Sequence, residues 1–326
     1  MSNISLSDIS RPIKEELNRF NDLFKSSLKS KVALVDLITK YILRQKGKKV
    51  RPLLVLMSAK LAGDISQRSY RGAILVELLH TATLVHDDVV DSAEKRRGLP
   101  SINAIWKNKI GVLMGDYLLA RGLMKAVDGE DFDFLKVITN TVKRMSEGEL
   151  LQIYKTKKLD IDEKTYFKII SDKTASLLST CCEIGARSAT TDEEQIQSLS
   201  EYGENLGIAF QIRDDILDYI GSASLFGKPL GGDIKEKKLT LPLIYSLEKC
   251  EKKEADTILK IIRKGANGDG IKKVMEFVQK YKGIDYSVEA AEKYADKAKE
   301  NISLFPDSDA KTSLTQLIDF VVERKK

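Results

Sequence analysis

Two short acidic clusters, Asp87-Asp88-Val89-Val90-Asp91 and Asp214-Asp215-Ile216-Leu217-Asp218, are the residues of this chain best suited to chemistry. Each reads D-D-x-x-D. Each closes an apolar stretch, Ala73-Ile74-Leu75-Val76-Glu77-Leu78-Leu79 in the first case and Leu206-Gly207-Ile208-Ala209-Phe210 in the second. On a helix, positions i and i+4 lie one turn apart on one face, so Asp87 and Asp91 point the same way with Asp88 beside them, and Asp214, Asp218 and Asp215 repeat the pattern. Carboxylates gathered on one face repel, and a counter-cation removes that penalty. Mg²⁺ prefers carboxylate oxygens, keeps several waters and commonly arrives with a substrate phosphate. A single D-D-x-x-D is common on solvated faces. Two copies, each ending an apolar helix, predict a helical cavity that holds magnesium ions and a phosphorylated ligand between two acidic walls.

Basic residues stand close to both clusters. Arg96 and Arg97 follow the first, Lys228 and Lys238 follow the second, Lys48 and Arg51 share a helix face, and Lys173 lies in Ser171-Asp172-Lys173-Thr174-Ala175. Arginine grips phosphate oxygens with a planar fork and lysine with a point charge. Each alone reads as a surface charge; together, beside the acidic clusters, they make a diphosphate clamp.

The elements that must position these groups read as helices. Apolar residues recur at helical spacing through most of the chain, as in Leu135, Ile138, Val142 and Met145, and alternating strands are absent. The pattern predicts an all-α fold of about a dozen helices, forming one domain over residues 1–326. Two amphipathic helices are expected before residue 45, and a helix from about Pro52 to Ala62 starts with proline in its first turn. Further helices are expected over 67–91, from near Lys109 to about 128, and over 132–155, 163–188 and 193–219, with five more in 239–326. Arg96–Pro100 and Gly221–Lys238 read as loops, and a loop as long as the second inside a helical protein is usually functional.

Composition narrows the classes. The 326 residues are 42% hydrophobic, enough for a sizeable core, and 54 Lys and Arg against 48 Asp and Glu leave a mild +6. That scattered surplus does not call for nucleic acid. The three cysteines, adjacent Cys181 and Cys182 and lone Cys250, fit neither a disulfide framework nor a zinc site and suit a cytoplasmic protein with reduced thiols. No apolar run is long enough for stable membrane insertion, and no signal peptide is visible.

Taken together, Gly47-Lys48-x-x-Arg51-Pro52, Leu78-Leu79-His80-x-x-x-Leu84-x-His86-Asp87-Asp88-x-x-Asp91, Arg96-Arg97-Gly98, Lys173-Thr174-Ala175, Gly207-x-x-Phe210-Gln211-x-x-Asp214-Asp215-x-x-Asp218 and Gly227-Lys228-x-x-Gly231-x-Asp233 resemble the trans-isoprenyl diphosphate synthase (polyprenyl synthetase) family, long-chain members included. The resemblance runs over nearly the whole chain. It implies an isoprenoid-synthase-type helical bundle around a deep central cavity, a homodimer, and a Mg²⁺-dependent enzyme with three ions per site, held by Asp87, Asp88, Asp91, Asp214, Asp215 and Asp218. It assigns Arg96, Lys173, Thr174, Gln211 and Lys228 to the allylic diphosphate and Lys48, Arg51, His80 and Arg97 to isopentenyl diphosphate. Lys238 joins the substrate-binding set. The implied reaction is ionisation of the allylic substrate, attack by the double bond of isopentenyl diphosphate, and loss of a proton to the released pyrophosphate. Asp87, Asp88, Asp91, Arg96, Lys173, Asp214 and Lys228 are its catalytic set.

The chain departs from the family where Glu236-Lys237-Lys238 stands in place of Glu-Gly-Lys. Lysine in a φ > 0 position would cost roughly 1 kcal/mol, so the loop is expected to adjust. Ala82 and Thr83, just before the first cluster, are small where short-chain members carry bulky aromatics. An open channel and a long product, about hexaprenyl to octaprenyl, are therefore expected, of the kind used for quinone side chains. Leu123, Met124, Val142 and Met145 are candidates for the channel floor, and a farnesyl or geranylgeranyl product is the alternative. Two other readings compete. Glu77-x-x-His80 matches half of a di-iron bundle signature but lacks its second copy. A terpene cyclase would have no use for Lys48, Arg51 and Arg97.

Overall fold

The computed structural model describes residues 5–45, 47–220 and 230–323. Among these the fold is all-α, with a single hairpin of two two-residue strands. The helices are α1 (Leu6–Ile9), α2 (Lys14–Ser27), α3 (Ala33–Arg44), α4 (Val50–Ala62), α5 (Gln67–Val90), α6 (Ile102–Asp128), α7 (Phe132–Lys158), α8 (Glu163–Ile170), α9 (Ser176–Arg187) and α10 (Glu193–Ile220). The five expected in the C-terminal third follow a short α11 (Gly232–Lys235) as α12 (Leu241–Lys249), α13 (Lys252–Arg263), α14 (Gly268–Lys280), α15 (Gly283–Asn301) and α16 (Asp309–Glu323). Strands β1 (Lys95–Arg96) and β2 (Leu99–Pro100) pair antiparallel between α5 and α6. None of the described helices is long and apolar enough to cross a membrane.

The chain forms two compact units. The first comprises Met1–Asn140, Thr180–Ser200 and Leu304–Leu314; the second comprises Thr141–Ser179, Glu201–Ser303 and Thr315–Lys326. In the first, α5 packs against α2, α4 and α6. Its buried residues run round the helix from Ser69 to Asp88, which is why its sequence is apolar without a clear polar face. Ser66 starts it with a capping box that includes Ser69. In the second unit, Tyr166, Ile208, Ile212, Ile216 and Tyr219 share a core with Ile234, Leu241, Val274 and Phe277.

Three local departures from the sequence reading have identifiable causes. Arg96–Pro100 is a hairpin, because Arg97 and Gly98 take positive φ of 51° and 80°, as a two-residue hairpin turn requires. The helix expected from Lys109 begins at Ile102, where the Ser101 hydroxyl caps it, and a break at Lys107 (φ 71°, ψ 163°) hid that first turn from the pattern. The helix expected over 163–188 is interrupted at Ser171–Ala175 by a π-helical turn, in which the Ser176 N–H donates to the Ser171 carbonyl. Such turns mark functional sites more often than chance. The stretch expected to be irregular over Gly221–Lys238 holds α11, and Gly221–Pro229, with Lys228, lie outside the described residues.

Candidate functional site

In the first unit the acidic motif ends α5. Asp87 and Asp88 occupy its last turn and Asp91 is the C-cap, its N–H donating to the Asp87 carbonyl at 2.8 Å. Asp87 and Asp91 are exposed, one turn apart as the spacing requires, while Asp88 is buried. Arg96 on β1 grips Asp88 Oδ1 through Nε at 2.8 Å and Nη2 at 2.5 Å, so the hairpin delivers a cation to the middle carboxylate. The last turn of α5 contains no basic residue. Carboxylates at a helix C-terminus face the negative end of the macrodipole. The local sequence therefore leaves a demand for positive charge that the helix does not meet.

One face of α5 then runs back from Asp88 through Val85, Leu84, Thr81 and His80 to Glu77 and lines a cavity of about 240 Å³. Lys49, Arg96, Arg97 and Gln45 close its polar side; Phe24, Ile42 and Ile102 form part of an apolar wall. Arg97 sits at the hairpin turn, its Nη1 donating to the Gln45 carbonyl at 3.2 Å. Lys49, the N-cap of α4, takes a left-handed conformation (φ 50°) and its ammonium binds Asn21. Burial, and then the Arg51, Arg97 and Arg96 guanidinium groups, hold His80 neutral with its pKa pushed down to about 2. Burial also pushes the Glu77 carboxyl up, against the pull of Arg51, Lys49 and Arg97. Burial lowers Lys49 and Arg51 as well, and for Arg51 the neighbouring Arg97 adds to it. Two buried donors, Arg51 Nε and Gln45 Nε2, have no hydrogen-bond partner among the described residues. Buried donors are nearly always paired, so this pair around a cationic cavity fits the binding of an anionic ligand.

Of the residues assigned to isopentenyl diphosphate, His80 and Arg97 line this cavity, Arg51 stands beside it electrostatically, and Lys48 is exposed without lining it. Lys49, Gln45 and Glu77 are additional. Lys49 was legible only as one of a pair of lysines whose directions the backbone decides. Gln45 carried no signal. Ala82 is buried and Thr83 half-buried, its hydroxyl donating to the His80 carbonyl at 2.8 Å. Of the floor candidates, Met124 is exposed, whereas Leu123 in the first unit and Val142 and Met145 in the second are half-buried.

In the second unit the acidic motif lies in the last two turns of α10, again with no basic residue in the last turn. Asp214 is exposed and Asp215 buried. Asp215 accepts from the Tyr166 hydroxyl at 2.7 Å and from Gln211 Nε2 at 2.8 Å, and Thr174 donates to Gln211 Oε1 at 3.0 Å. Burial and the nearby Asp233 push the Asp215 carboxyl well up. Asp218 turns to the chain that follows: its two oxygens accept the Gly232 and Asp233 N–H groups at 3.0 Å each, capping α11. A cap supplied from so far back in the chain is invisible to local pattern. Burial and Asp218 raise Asp233 to about 6, with Lys238 opposing. Lys238 pairs with Glu236 at 2.6 Å.

Lys173 sits in the π-turn, bound to Gln152 Oε1 at 2.7 Å and paired with Glu149, one turn apart on α7. Beneath it, Arg144 ties Asp172 (2.9 Å) to Glu204 (2.9 Å) and Ser171 (2.8 Å). Gly207 of α10 packs against the turn so closely that a Cβ there would come within 2.5 Å of Ala175 Cα. The sequence motif thus names Lys173 and Thr174, while the π-turn that carries them and the Glu149 and Gln152 that hold Lys173 came only with the structure.

Mg²⁺ fits this donor set. Among the described residues no three His, Cys, Asp or Glu side chains gather to hold an ion alone. At each helix end, exposed carboxylates with no basic residue in the last turn suit ions that complete their shells with water and substrate oxygens.

The family described as "Polyprenyl synthetase" matches residues 32–278. An all-trans-nonaprenyl-diphosphate synthase (geranyl-diphosphate specific) of Rhodobacter capsulatus is 34% identical over 97% of each chain. A geranylgeranyl diphosphate synthase of Saccharolobus solfataricus is 33% identical over 99% of this chain and 100% of its own. The crystal structure of a polyprenyl synthase from Caulobacter crescentus, complexed with calcium and isoprenyl diphosphate, superposes with a TM-score of 0.91 at 33% identity over 100% of both chains. The chain belongs to the polyprenyl synthetase family, and it is a prenyltransferase that makes prenyl diphosphates.

Proposed function

We propose that this enzyme is a single catalytic domain that condenses isopentenyl diphosphate head-to-tail with an allylic diphosphate, giving an all-trans product of about hexaprenyl to octaprenyl length for quinone side chains. The observation that carries the reading is the pair of D-D-x-x-D motifs, each ending a long helix without a basic residue in its last turn. Asp87, Asp88, Asp91, Asp214, Asp215 and Asp218 would hold three Mg²⁺ ions. When bound, Mg²⁺ neutralises the diphosphate and draws charge from the leaving group. Calcium with isoprenyl diphosphate in the Caulobacter crescentus relative supports a divalent ion here.

Arg96, Lys173, Thr174, Gln211 and Lys228 hold the allylic diphosphate, and Lys238 joins the substrate-binding set. Lys173 and Gln211 are braced for it by Gln152, Glu149 and Thr174. Its C–O bond breaks and the electron pair leaves with pyrophosphate. Lys48, Arg51, His80 and Arg97 hold isopentenyl diphosphate, whose double bond attacks the allylic cation to form the new C–C bond. The released pyrophosphate takes the proton lost next to it. His80, held neutral, orients rather than carries charge.

Small residues at 82 and 83 support the long product, and relatives making nonaprenyl and geranylgeranyl chains bracket it. The chain also exposes an apolar stripe on α6, with Val112, Leu113, Met124 and Val127 at the surface, which supports a homodimer. Buried free Cys181 and Cys182 suit the cytoplasm. Thin-layer chromatography of dephosphorylated products from radiolabelled isopentenyl diphosphate, with and without EDTA, tests the reading. Metal-independent turnover overturns the metal assignment. A main product at farnesyl or geranylgeranyl overturns the chain length.

A further inference from the structure

We propose that Glu77 is a built-in counter-ion of the α5 cavity: its carboxylate takes up one proton when a diphosphate enters and, on regaining its charge, loosens the site so that it empties after each condensation. The inference rests on the assignment of this cavity to isopentenyl diphosphate.

A carboxylate is out of place in a pocket for an anion. Glu77 lines the cavity with Lys49, Arg96 and Arg97. The cavity's other carboxylate, Asp88, is committed to Arg96. Glu77 makes no ion pair with any described residue, so it acts through space on Arg51, Lys49 and Arg97 together. In the ligand-free site it offsets their mutual repulsion. A bound diphosphate supplies two or more negative charges to the same cations, and Glu77 then faces an anion across a partly dry cavity, where like charges repel strongly. Burial has already moved its carboxyl towards the protonated form.

The other groups around it do not share this role. His80, on the same helix, is neutral, with its pKa near 2. Cys181 of α9 is buried and its thiol pushed well up. Arg51 of α4 and Arg97 of the hairpin stay cationic. Lys49 is the one rival, because burial lowers its ammonium, with Lys25 of α2 adding to the effect. Turnover gives the device its use, since the site must release its diphosphate before the next isopentenyl unit can bind.

The test is calorimetric titration of the full-length protein with isopentenyl diphosphate, without Mg²⁺, in two buffers of different ionisation enthalpy at pH 7.5. The wild type is expected to take up a measurable fraction of a proton beyond that of Glu77→Gln. Glu77→Gln should bind about tenfold more tightly, with a lower KM for isopentenyl diphosphate and a lower kcat as release slows. Lowering the pH should tighten the wild type towards the variant, because proton uptake on binding favours the complex in acid. The ligand's own ionisation is common to both proteins and cancels in the difference. Glu77→Asp should restore the uptake, and Lys49→Gln should keep it. Equal uptake in wild type and Glu77→Gln, weaker binding by Glu77→Gln, or uptake lost only in Lys49→Gln overturns the proposal. If Glu77→Gln does not fold, Glu77→Met takes its place as the reference, and uptake equal to the wild type's overturns the proposal. A wild type that condenses substrates but fails these tests sinks this inference alone; one that neither binds nor condenses isopentenyl diphosphate sinks the functional reading with it.

Discussion

The two acidic motifs share a spelling and differ in what surrounds them. In each the leading aspartate is exposed and the second buried. The buried Asp88 is held by the Arg96 guanidinium. The buried Asp215 is held by a tyrosine hydroxyl and an amide and lies near Asp233, which favours its protonated form. The third aspartates differ too. Asp91 caps α5 and faces solvent, whereas Asp218 spends both oxygens on the start of α11. One four-residue spacing can therefore yield a motif whose buried carboxylate is paired with a cation and another whose buried carboxylate is held by neutral donors.

The largest effects should fall on the exposed leading residues. Asp87→Ala and Asp214→Ala are each expected to cut Mg²⁺-dependent condensation by about 10³-fold or more, on the scale of losing a transition-state electrostatic contact, with unchanged circular dichroism. Steady-state kinetics across Mg²⁺ concentrations checks this. If the double variant is no worse than either single one, the two motifs serve one metal cluster; near-native turnover in either single variant breaks the parallel. The middle residues separate the motifs by stability instead. Asp88→Asn strands the half-buried Arg96 and should cost about 2 kcal/mol, whereas Asp215→Asn keeps the Tyr166 contact and should cost about 1 kcal/mol or less. Urea unfolding of both measures it, and equal losses would erase the distinction between them.

What the sequence disclosed follows the same division. The motifs, the helices bearing them and the five C-terminal helices were legible because helical periodicity and short-range spacing are local properties. Lys49 against Lys48, the Tyr166–Asp215 bond, the Glu149 and Gln152 brace and the Asp218 cap were not, since each depends on which way a side chain turns or on a partner far along the chain. The π-turn escaped for a related reason: one inserted residue leaves the composition of a helix unchanged.

Acid should reveal a further asymmetry, because both histidines of the chain, His80 and His86, belong to the first unit. His80 has a folded pKa of about 2 against an ordinary value of 6.5. The unfolded chain therefore binds a proton that the folded one refuses. The stability this group contributes is complete above about pH 6.5 and is lost as pH falls towards 2. Between pH 7.5 and 5.5 the wild type should lose about 1.4 kcal/mol more than His80→Gln. Urea midpoints at the two pH values test it; parallel losses would mean that His80 is not held neutral.

The smallest effect lies in the turns that follow the motifs. After the first, Gly98 takes φ 80° with open space where a Cβ would sit. After the second, Lys237 takes φ 60°. The loop does not adjust to the loss of glycine, contrary to the expectation from Glu236-Lys237-Lys238. It keeps the left-handed turn, and the lysine Nζ donates to the Arg263 carbonyl at the end of α13, 3.1 Å away. A cation there also meets the negative end of that helix. Gly98→Lys imposes the left-handed strain without that compensation and should cost about 1 kcal/mol. Lys237→Gly removes the strain but loses the Arg263 contact and loosens the unfolded chain, so a net gain of only about 0.5 kcal/mol is expected. Opposite signs in thermal unfolding would show that the second turn is strained and tethered where the first is relaxed. A loss of stability in Lys237→Gly would instead mean that the tether to α13 outweighs the backbone strain, making lysine favourable at this position despite its left-handed φ.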